Sequence, residues 1–424
     1  MRFPSAEVAF ESTGALHDPA QRTAAVDLVV SSGATDVVVL VHGWNNDIPA
    51  ARALYERLTD SVAEIRNRVP SAAARTLAVV GVLWPSIRWA DADDVAGGGV
   101  SVGDEQLALM AAIDERIEDP AAVAQLRRLV PKLETSADAR QKFLDTLRVQ
   151  LPPPIDGDEE PPPVSFLEGD AEQVFDQAGG PETDFGAPET PGGAAAGVSE
   201  AEVLGGSAAA FSFGGVLDGA RNLLNLTSYY TMRERAGNVG FNGVAGLLDA
   251  LAAGAPRARR HLVGHSFGAR VVSAAAARHA PVHSVILLQG AFSHHGFASN
   301  FDGRGGNGLF RAVLAGRRLT GPLLATHTAN DKAVGLAYAI ASRLAGQAGT
   351  AVGGPDDLYG GIGRNGALKT PEVAQPAGSL LAVGGAYSFT AGNAYNLKAD
   401  AFISSHSAVT GPEVASALLQ AMVS

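Results

Sequence analysis

A serine between two glycines is the residue of this chain best suited to nucleophilic chemistry. Ser266 lies in the sequence GHSFG at 264–268, after a segment with strand character at 260–263 and before a helix-like segment at 269–276. A Gly-x-Ser-x-Gly motif between a strand and a helix can form a sharp turn that holds the serine hydroxyl above a sheet. Glycines suit this turn because side chains would collide where the strand and the helix converge. We therefore predict that Ser266 is a nucleophile.

A second serine has the same flanking pattern but lacks these surroundings. Ser101 lies in GVSVG at 99–103, which follows an acidic, glycine-rich stretch at 91–98. No apolar segment precedes it, so a strand-to-helix turn is not expected there. We interpret Ser101 as a loop residue.

A serine hydroxyl needs a base that takes its proton, normally a histidine that a carboxylate holds in the correct tautomer. His406 is the last histidine of the chain, and it follows a predicted strand at 401–403 that gives way to small polar residues. In an α/β sheet, groups that act together lie at the C-terminal ends of strands. We therefore predict that His406 is the base.

The carboxylate partner of this histidine is predicted at Asp331. A predicted strand at 323–326 runs into a polar loop, and Asp331 lies at the end of that loop. The alternative role is an N-cap for the helix predicted at 333–344, because aspartate favours that position. The other candidates for the acid are Asp302, Asp356 and Asp357.

Backbone N–H groups near the nucleophile would stabilise the negative charge that develops when a serine attacks a carbonyl group. Phe267, directly after the nucleophile, offers one such N–H, and Trp44, in the loop after a predicted strand at 37–41, offers the second. We predict that these two residues form the oxyanion hole. Trp44 and His265 are the predicted substrate-binding residues, with core packing as the alternative for the indole ring. We interpret His42 as a brace for the loop.

The elements that must position these residues alternate along the chain. Segments with strand character are present at 37–41, 77–84, 260–263, 284–288, 323–326 and 401–403. Between them lie segments with helical periodicity, such as 48–69. Strands that alternate with helices imply an α/β fold, with a mainly parallel sheet covered by helices on both faces.

A large insertion interrupts this alternation. We divide the chain into an N-terminal part of the core, 1–90, an insertion, 91–240, and a C-terminal part of the core, 241–424. Helices are predicted within the insertion at 105–117, 121–133, 137–149 and 211–232. The apolar residues of these helices fit two arrangements, a lid over the active site or helices docked on the core.

One segment of the insertion, 151–205, carries most of the net charge of −12. It holds 13 of the 44 acidic residues and no Lys or Arg, which leaves 31 acidic and 32 basic residues elsewhere. Its proline runs and Gly/Ala tract leave few residues to build a core, so we expect it to be mostly disordered. The nearly neutral remainder has no basic stripe, which argues against nucleic acid as a partner.

Composition also limits the chemistry and the location. The chain has no cysteine, which excludes disulfides, thiolate metal sites and cysteine nucleophiles. No set of residues at ligand spacing predicts a metal or a cofactor. The first residues resemble no secretory signal, and no apolar run approaches the roughly 20 residues that span a bilayer. We therefore expect a cytoplasmic protein without a transmembrane segment, with export without a leader as the open alternative.

These motifs together resemble the α/β-hydrolases with a serine nucleophile, of the esterase and lipase type. The resemblance covers about residues 30–90 and 240–424. His-Gly-Trp at 42–44 is similar to the oxyanion loop of that family, GHSFG at 264–268 to its nucleophile elbow, and Asp331 and His406 to its acid and base. One departure is the place of the insertion, since family caps more often follow the strand after the elbow.

The resemblance implies hydrolysis of a small-molecule or lipid-like ester through an acyl-enzyme, without a cofactor. Two alternatives remain open at the level of the sequence. A thioesterase or an amidase would use the same three residues, because the bond that is cleaved depends on contacts with the leaving group. A non-catalytic, hydrolase-like binding protein would present the acidic segment to a partner.

Overall fold

A parallel sheet of eight strands forms the centre of the computed structural model, which describes residues 1–44, 46–86, 102–179, 215–278, 281–346, 354–376 and 378–424. The strands are β1 (Ser5–Ala9), β2 (Asp36–Val41), β3 (Leu77–Leu83), β4 (Arg259–His265), β5 (Ser284–Leu288), β6 (Leu323–His327), β7 (Gly378–Ser379) and β8 (Ala394–Lys398). Their order in the sheet is β1-β3-β2-β4-β5-β6-β8-β7, and every pairing is parallel. The predicted α/β class with a mainly parallel sheet is confirmed.

Helices connect and cover these strands. They are α1 (Pro19–Ser31), α2 (Ile48–Ile65), α3 (Pro70–Ala73), α4 (Val102–Arg116), α5 (Pro120–Leu129), α6 (Ala137–Val149), α7 (Val164–Glu168), α8 (Ala171–Gly179), α9 (Gly215–Asn238), α10 (Ala245–Gly254), α11 (Phe267–Arg278), α12 (Ala312–Ala315), α13 (Lys332–Leu344), α14 (Ile362–Asn365) and α15 (Pro412–Val423). A π-helical segment, Val239–Val244, joins α9 to α10. None of the helices in this described part of the chain has both the length and the apolar character needed to cross a bilayer.

Both faces of the sheet are buried, as the β-branched sequence of β2 predicts. Successive side chains of a strand point to opposite faces. Val37 and Val39 therefore belong to a core that includes α1, α9 and α11, whereas Val38 and Leu40 belong to a second core that includes α2 and α15. The two cores pack the sheet between two layers of helices. The loops that follow the C-terminal ends of the strands therefore start from a packed support.

The prediction of a strand at 401–403 is wrong. Residues 399–403 form a turn, in which the Ile403 N–H donates to the carbonyl of Ala399 at 2.8 Å, and the strand beside β6 is β8 instead. Ile403 is apolar because it packs into the second core from this turn. The sequence of β8 gave little signal because Asn396 is buried there and its side chain binds the backbone of Ala367.

The prediction of disorder for 151–205 is wrong for residues 151–179. These residues include α7 and α8, and Glu159 and Glu160 are each only 1% exposed. Composition predicts disorder because it counts charge without showing the distant partners of these acids, which are the N–H of Leu309 for Glu159 and the side chains of Arg233 and Arg270 for Glu160. The rest of that segment, 180–205, lies outside the described residues.

The helix α9 is docked on the core, where 17 of its 24 residues are buried. It packs against α11 and continues through the π-helical segment into α10, so the predicted end of the insertion at residue 240 falls inside one continuous helical rod. The described part of the helix predicted at 211–232 lies within α9, and a role for the insertion as a lid stays a prediction. Segments 87–101 and 180–214 lie outside the described residues.

Candidate active site

Ser266 occupies a strained turn between β4 and α11. It is the single residue between the end of the strand and the start of the helix, and its φ is +57°, a value that non-glycine residues rarely adopt. Its N–H donates to the carbonyl of Leu288 at 3.0 Å, and its carbonyl accepts the N–H of Ala291 at 3.1 Å. Because neighbouring backbone fixes both groups, the turn keeps a conformation that costs free energy locally.

Three glycines allow the close approaches around this turn. A Cβ on Gly264 would lie 2.2 Å from the carbonyl oxygen of Gly268, and a Cβ on Gly268 would lie 2.2 Å from that of Val41. A Cβ on Gly43 would lie 2.6 Å from the Cβ of Ser266. The first two glycines let the strand and the helix converge, and the third leaves space beside the serine hydroxyl.

The structure brings Ser266, His406 and Asp331 together in one hydrogen-bonded chain. The Nε2 of His406 lies 2.9 Å from the Oγ of Ser266, and its Nδ1 lies 2.8 Å from the Oδ2 of Asp331. Because Nδ1 faces a fully buried carboxylate, the proton is placed on Nδ1, and Nε2 accepts from the serine hydroxyl. This arrangement can remove a proton from Ser266 and stabilise the imidazolium that results.

Asp331 also caps α13, so one side chain makes both the contact with His406 and the alternative contact at the helix start. Its Oδ1 accepts the N–H of Val334 at 3.0 Å, while its Oδ2 faces His406. The other candidates have different partners or positions. Asp302 accepts N–H groups of its own loop, Asp357 accepts the hydroxyl of Ser342, and Asp356 is exposed.

His265 connects the turn to the loop that carries His406. Its Nε2 donates to the carbonyl of His406 at 2.9 Å, and the centres of the two rings are 4.9 Å apart. Burial lowers the pKa of His265 to about 3, so the ring is neutral at neutral pH and its proton faces the carbonyl. This contact holds His406 beside Ser266. The role of His265 in substrate binding stays a prediction.

The two N–H groups predicted for the oxyanion hole belong to a helix start and to a neighbouring loop. Phe267 is the first residue of α11, where an N–H has no carbonyl partner within the helix and the helix dipole is positive. Trp44 follows Gly43, and its half-buried indole meets the ring of Phe267 edge to face at 5.8 Å. Both residues therefore lie next to the serine.

His42 supports the loop that carries Trp44, in agreement with its interpretation as a brace. Its Nε2 accepts the N–H of Trp84 at 3.3 Å, which leaves the proton on Nδ1 to be donated to the carbonyl of Gly43 at 3.0 Å. Burial lowers the pKa of His42 to about 4, so the ring stays neutral at neutral pH. The indole of Trp84 also donates to the carbonyl of His42 at 2.9 Å.

Gln289 is a residue of this site that the sequence analysis did not identify. It follows β5 directly, and its Nε2 lies 3.1 Å from the Oδ2 of Asp331. The available signal was a glutamine at the C-terminal end of an apolar strand, at the same edge of the sheet as Ser266.

Acidic, arginine and tyrosine side chains form a buried group against α11, and we call it the Glu160 cluster. Its members are Asp158, Glu159, Glu160, Tyr229, Arg233, Arg270 and Tyr338. The Oε2 of Glu160 accepts the hydroxyl of Tyr338 at 2.7 Å, and its Oε1 lies 3.6 Å from Arg233 and 3.8 Å from Arg270. Arg270 belongs to α11, so this cluster joins the insertion to the helix that starts directly after Ser266.

The cluster gives a pH-dependent contribution to stability. Burial, together with the neighbouring Glu160, raises the pKa of Glu159 from 4.5 to about 7. A raised carboxyl pKa contributes stability that is complete below pH 4.5 and is lost as the pH rises through about 7. We expect Glu159→Gln, which cannot ionise, to gain on the order of 2 kcal/mol relative to the wild type between pH 5 and pH 8.

Thermal unfolding of both proteins at pH 5, 6, 7 and 8 measures this gain. The other members of the Glu160 cluster are the same in both proteins, so the difference between the two curves isolates Glu159. A difference that stays constant across this pH range would contradict the assigned shift.

No metal site is evident among the described residues, where no group of three or more His, Asp or Glu side chains could hold an ion. The described groups brought together at this site are the hydroxyl of Ser266, the imidazole of His406 and the carboxylate of Asp331. No protein-family model, curated protein or solved structure matches this chain.

Proposed function

We propose that this protein is a serine hydrolase of the α/β-hydrolase type that cleaves carboxylic esters through an acyl-enzyme. The observation that carries the proposal is the hydrogen-bonded chain from Ser266 through His406 to Asp331, with the serine on a strained turn. A serine used only for structure has no need of an imidazole on its hydroxyl and a buried carboxylate behind that imidazole.

The reaction follows from these contacts in two halves. His406 takes the proton of Ser266 at Nε2 while Oγ attacks the ester carbonyl, and the N–H groups of Phe267 and Trp44 face the oxyanion. The imidazolium returns its proton to the departing alkoxide, which leaves as the alcohol. A water then attacks the acyl-enzyme and gives its proton to the same nitrogen. Collapse of the second intermediate releases the carboxylic acid and restores the serine.

The indole of Trp44 supports an ester with an apolar acyl group. It is partly exposed, and it meets the buried ring of Phe267, the residue after Ser266, at 5.8 Å. Binding sites for small organic substrates are lined mainly by such apolar and aromatic surfaces, with few polar groups.

A fluorophosphonate probe tests the nucleophile, because it phosphonylates only an activated serine. We expect the probe to label the wild type and to leave Ser266→Ala unlabelled. The matched control is Ser101→Ala, which removes the other serine in a Gly-x-Ser-x-Gly sequence and is expected to label like the wild type. Labelling that survives in Ser266→Ala would overturn the proposed function.

Matched ester, thioester and amide substrates test the bond that is cleaved. We expect the ester to have the highest kcat/KM, and a series of p-nitrophenyl esters then measures the depth of the acyl pocket. A ranking with the ester last would overturn the assignment to carboxylic esters and leave the nucleophile in place.

A further inference from the structure

We propose that Gln289 is a positioning residue that holds the carboxylate of Asp331 in the orientation required by its bond to His406. The inference rests on the proposed function and adds to it a residue that acts through Asp331. Gln289 is fully buried and follows β5 directly, at the same edge of the sheet as the nucleophile.

The backbone of Gln289 is held in an unfavourable conformation. Its φ is +46°, in the left-handed region that glycine occupies far more readily than glutamine. Its N–H donates to the hydroxyl of Thr326 at 3.1 Å. Such a conformation persists only where its surroundings fix it, and it is frequent at functional sites. Here it aims the side chain along the sheet edge towards Asp331.

The side-chain amide has one orientation only. Its Nε2 faces two acceptors, the Oδ2 of Asp331 at 3.1 Å and the carbonyl of Gly363 at 2.9 Å. Its Oε1 accepts the hydroxyl of Thr326 at 2.9 Å. A flipped amide would place an oxygen against both of these acceptors, so the carboxylate of Asp331 and the carbonyl of Gly363 fix its rotation.

The carboxylate of Asp331 is thereby fixed at three points. Oδ1 accepts the N–H of Val334, and Oδ2 accepts both from His406 and from Gln289. Without the amide donor, the carboxylate keeps its charge but has one bond fewer to hold its plane. More of the negative charge on Oδ2 is then available to the imidazolium, which is stabilised in its protonated form.

Two effects on kinetics follow for Gln289→Met, which keeps the length of the side chain and removes the donor. We expect kcat for ester hydrolysis to fall about 10-fold to 100-fold, with KM within about twofold, because a hydrogen bond to a charged group is lost. We also expect the acidic limb of the pH profile of kcat/KM to move to higher pH. A merely structural defect would lower activity without moving that limb.

A second glutamine supplies the matched control. Gln420 lies on α15, where its amide donates to the carbonyl of Gly385 at 2.9 Å and accepts the N–H of Tyr387 at 3.0 Å. Gln420→Met therefore removes an amide with similar backbone bonds at a place without contact to Asp331. We expect its kcat and its acidic limb to match those of the wild type.

Variants of Thr326 keep the test decisive if Gln289→Met fails to fold. Thr326→Val removes the hydroxyl that binds the backbone N–H and the Oε1 of Gln289, whereas Thr326→Ser keeps that hydroxyl. We expect the valine variant to shift the acidic limb in the same direction as Gln289→Met and the serine variant to leave it unchanged. An unmoved limb in both Gln289→Met and Thr326→Val would overturn the inference.

Failure of this inference differs from failure of the proposed function. If Ser266→Ala keeps the ester activity, the proposed function is wrong and the role of Gln289 falls with it. If Ser266→Ala is inactive and Gln289→Met has the kinetics of Gln420→Met, the proposed function stands and only the positioning role is overturned.

Discussion

Asp331→Asn is expected to lower kcat for ester hydrolysis about 10⁴-fold while α13 keeps its N-cap. The Oδ1 of asparagine can still accept the N–H of Val334, which Asp331 accepts at 3.0 Å. Its NH2 group then faces the Nδ1 of His406, which must lose its proton to accept. The proton moves to Nε2, opposite Ser266, and the histidine can no longer act as a base.

A second substitution separates the two roles of this aspartate. Asp331→Ala removes the cap as well as the carboxylate, so we expect a similar loss of kcat and about 1 kcal/mol more loss of stability than in the asparagine variant. Steady-state kinetics and urea unfolding measure the two effects. Asp302→Asn is the control, since Asp302 binds only N–H groups of an exposed loop. An asparagine variant with more than a tenth of the wild-type kcat would contradict the assigned role.

The candidate site could be predicted from the sequence because the C-terminal ends of parallel strands, and the residues that follow them, lie at one edge of the sheet. Ser266, Asp331 and His406 follow β4, β6 and β8, which are near neighbours in the sheet. His406 is the predicted base even though the prediction of a strand at 401–403 is wrong. A turn of five residues after β8 leaves the following loop at the same edge, so the error in the strand boundary leaves His406 at that edge.

Features that depend on pairing between distant segments could not be predicted in the same way. The disorder expected at 151–205 follows from its acidic composition. What orders Glu160 is contact with Arg233 and Arg270, and Glu159 accepts the N–H of Leu309, so these partners are at least 70 residues away in the chain. Gln289 is a similar case. Its bonds to Asp331 and Gly363 exist only after β5, β6 and α14 have assembled.

Glu160→Ala is expected to cause the largest loss of stability, about 3–5 kcal/mol in the free energy of unfolding. Arg233 and Arg270 are 3% and 1% exposed, and both face the carboxylate that this substitution removes. Burial raises the pKa of Glu160 although both guanidinium groups act to lower it, which reflects the cost of placing these charges in the core. Removing this carboxylate takes the ion pair from Arg270 and one of two ion pairs from Arg233, whose other partner is Asp158, in a place where burial makes a charge costly.

The same argument predicts that removing the charges of Glu160 and Arg270 together lowers the free energy of unfolding less than removing that of Glu160 alone. We expect the double variant E160M/R270M to lose less stability than Glu160→Ala, because apolar side chains of similar length replace a pair that had to be desolvated. An exposed pair provides the control. Asp138→Ala breaks the ion pair with Lys142 on the surface of α6 and is expected to change stability by less than about 0.5 kcal/mol. Urea unfolding of all four proteins measures these differences, and a Glu160→Ala protein as stable as the Asp138→Ala protein would show that the cluster does not hold the insertion to α11.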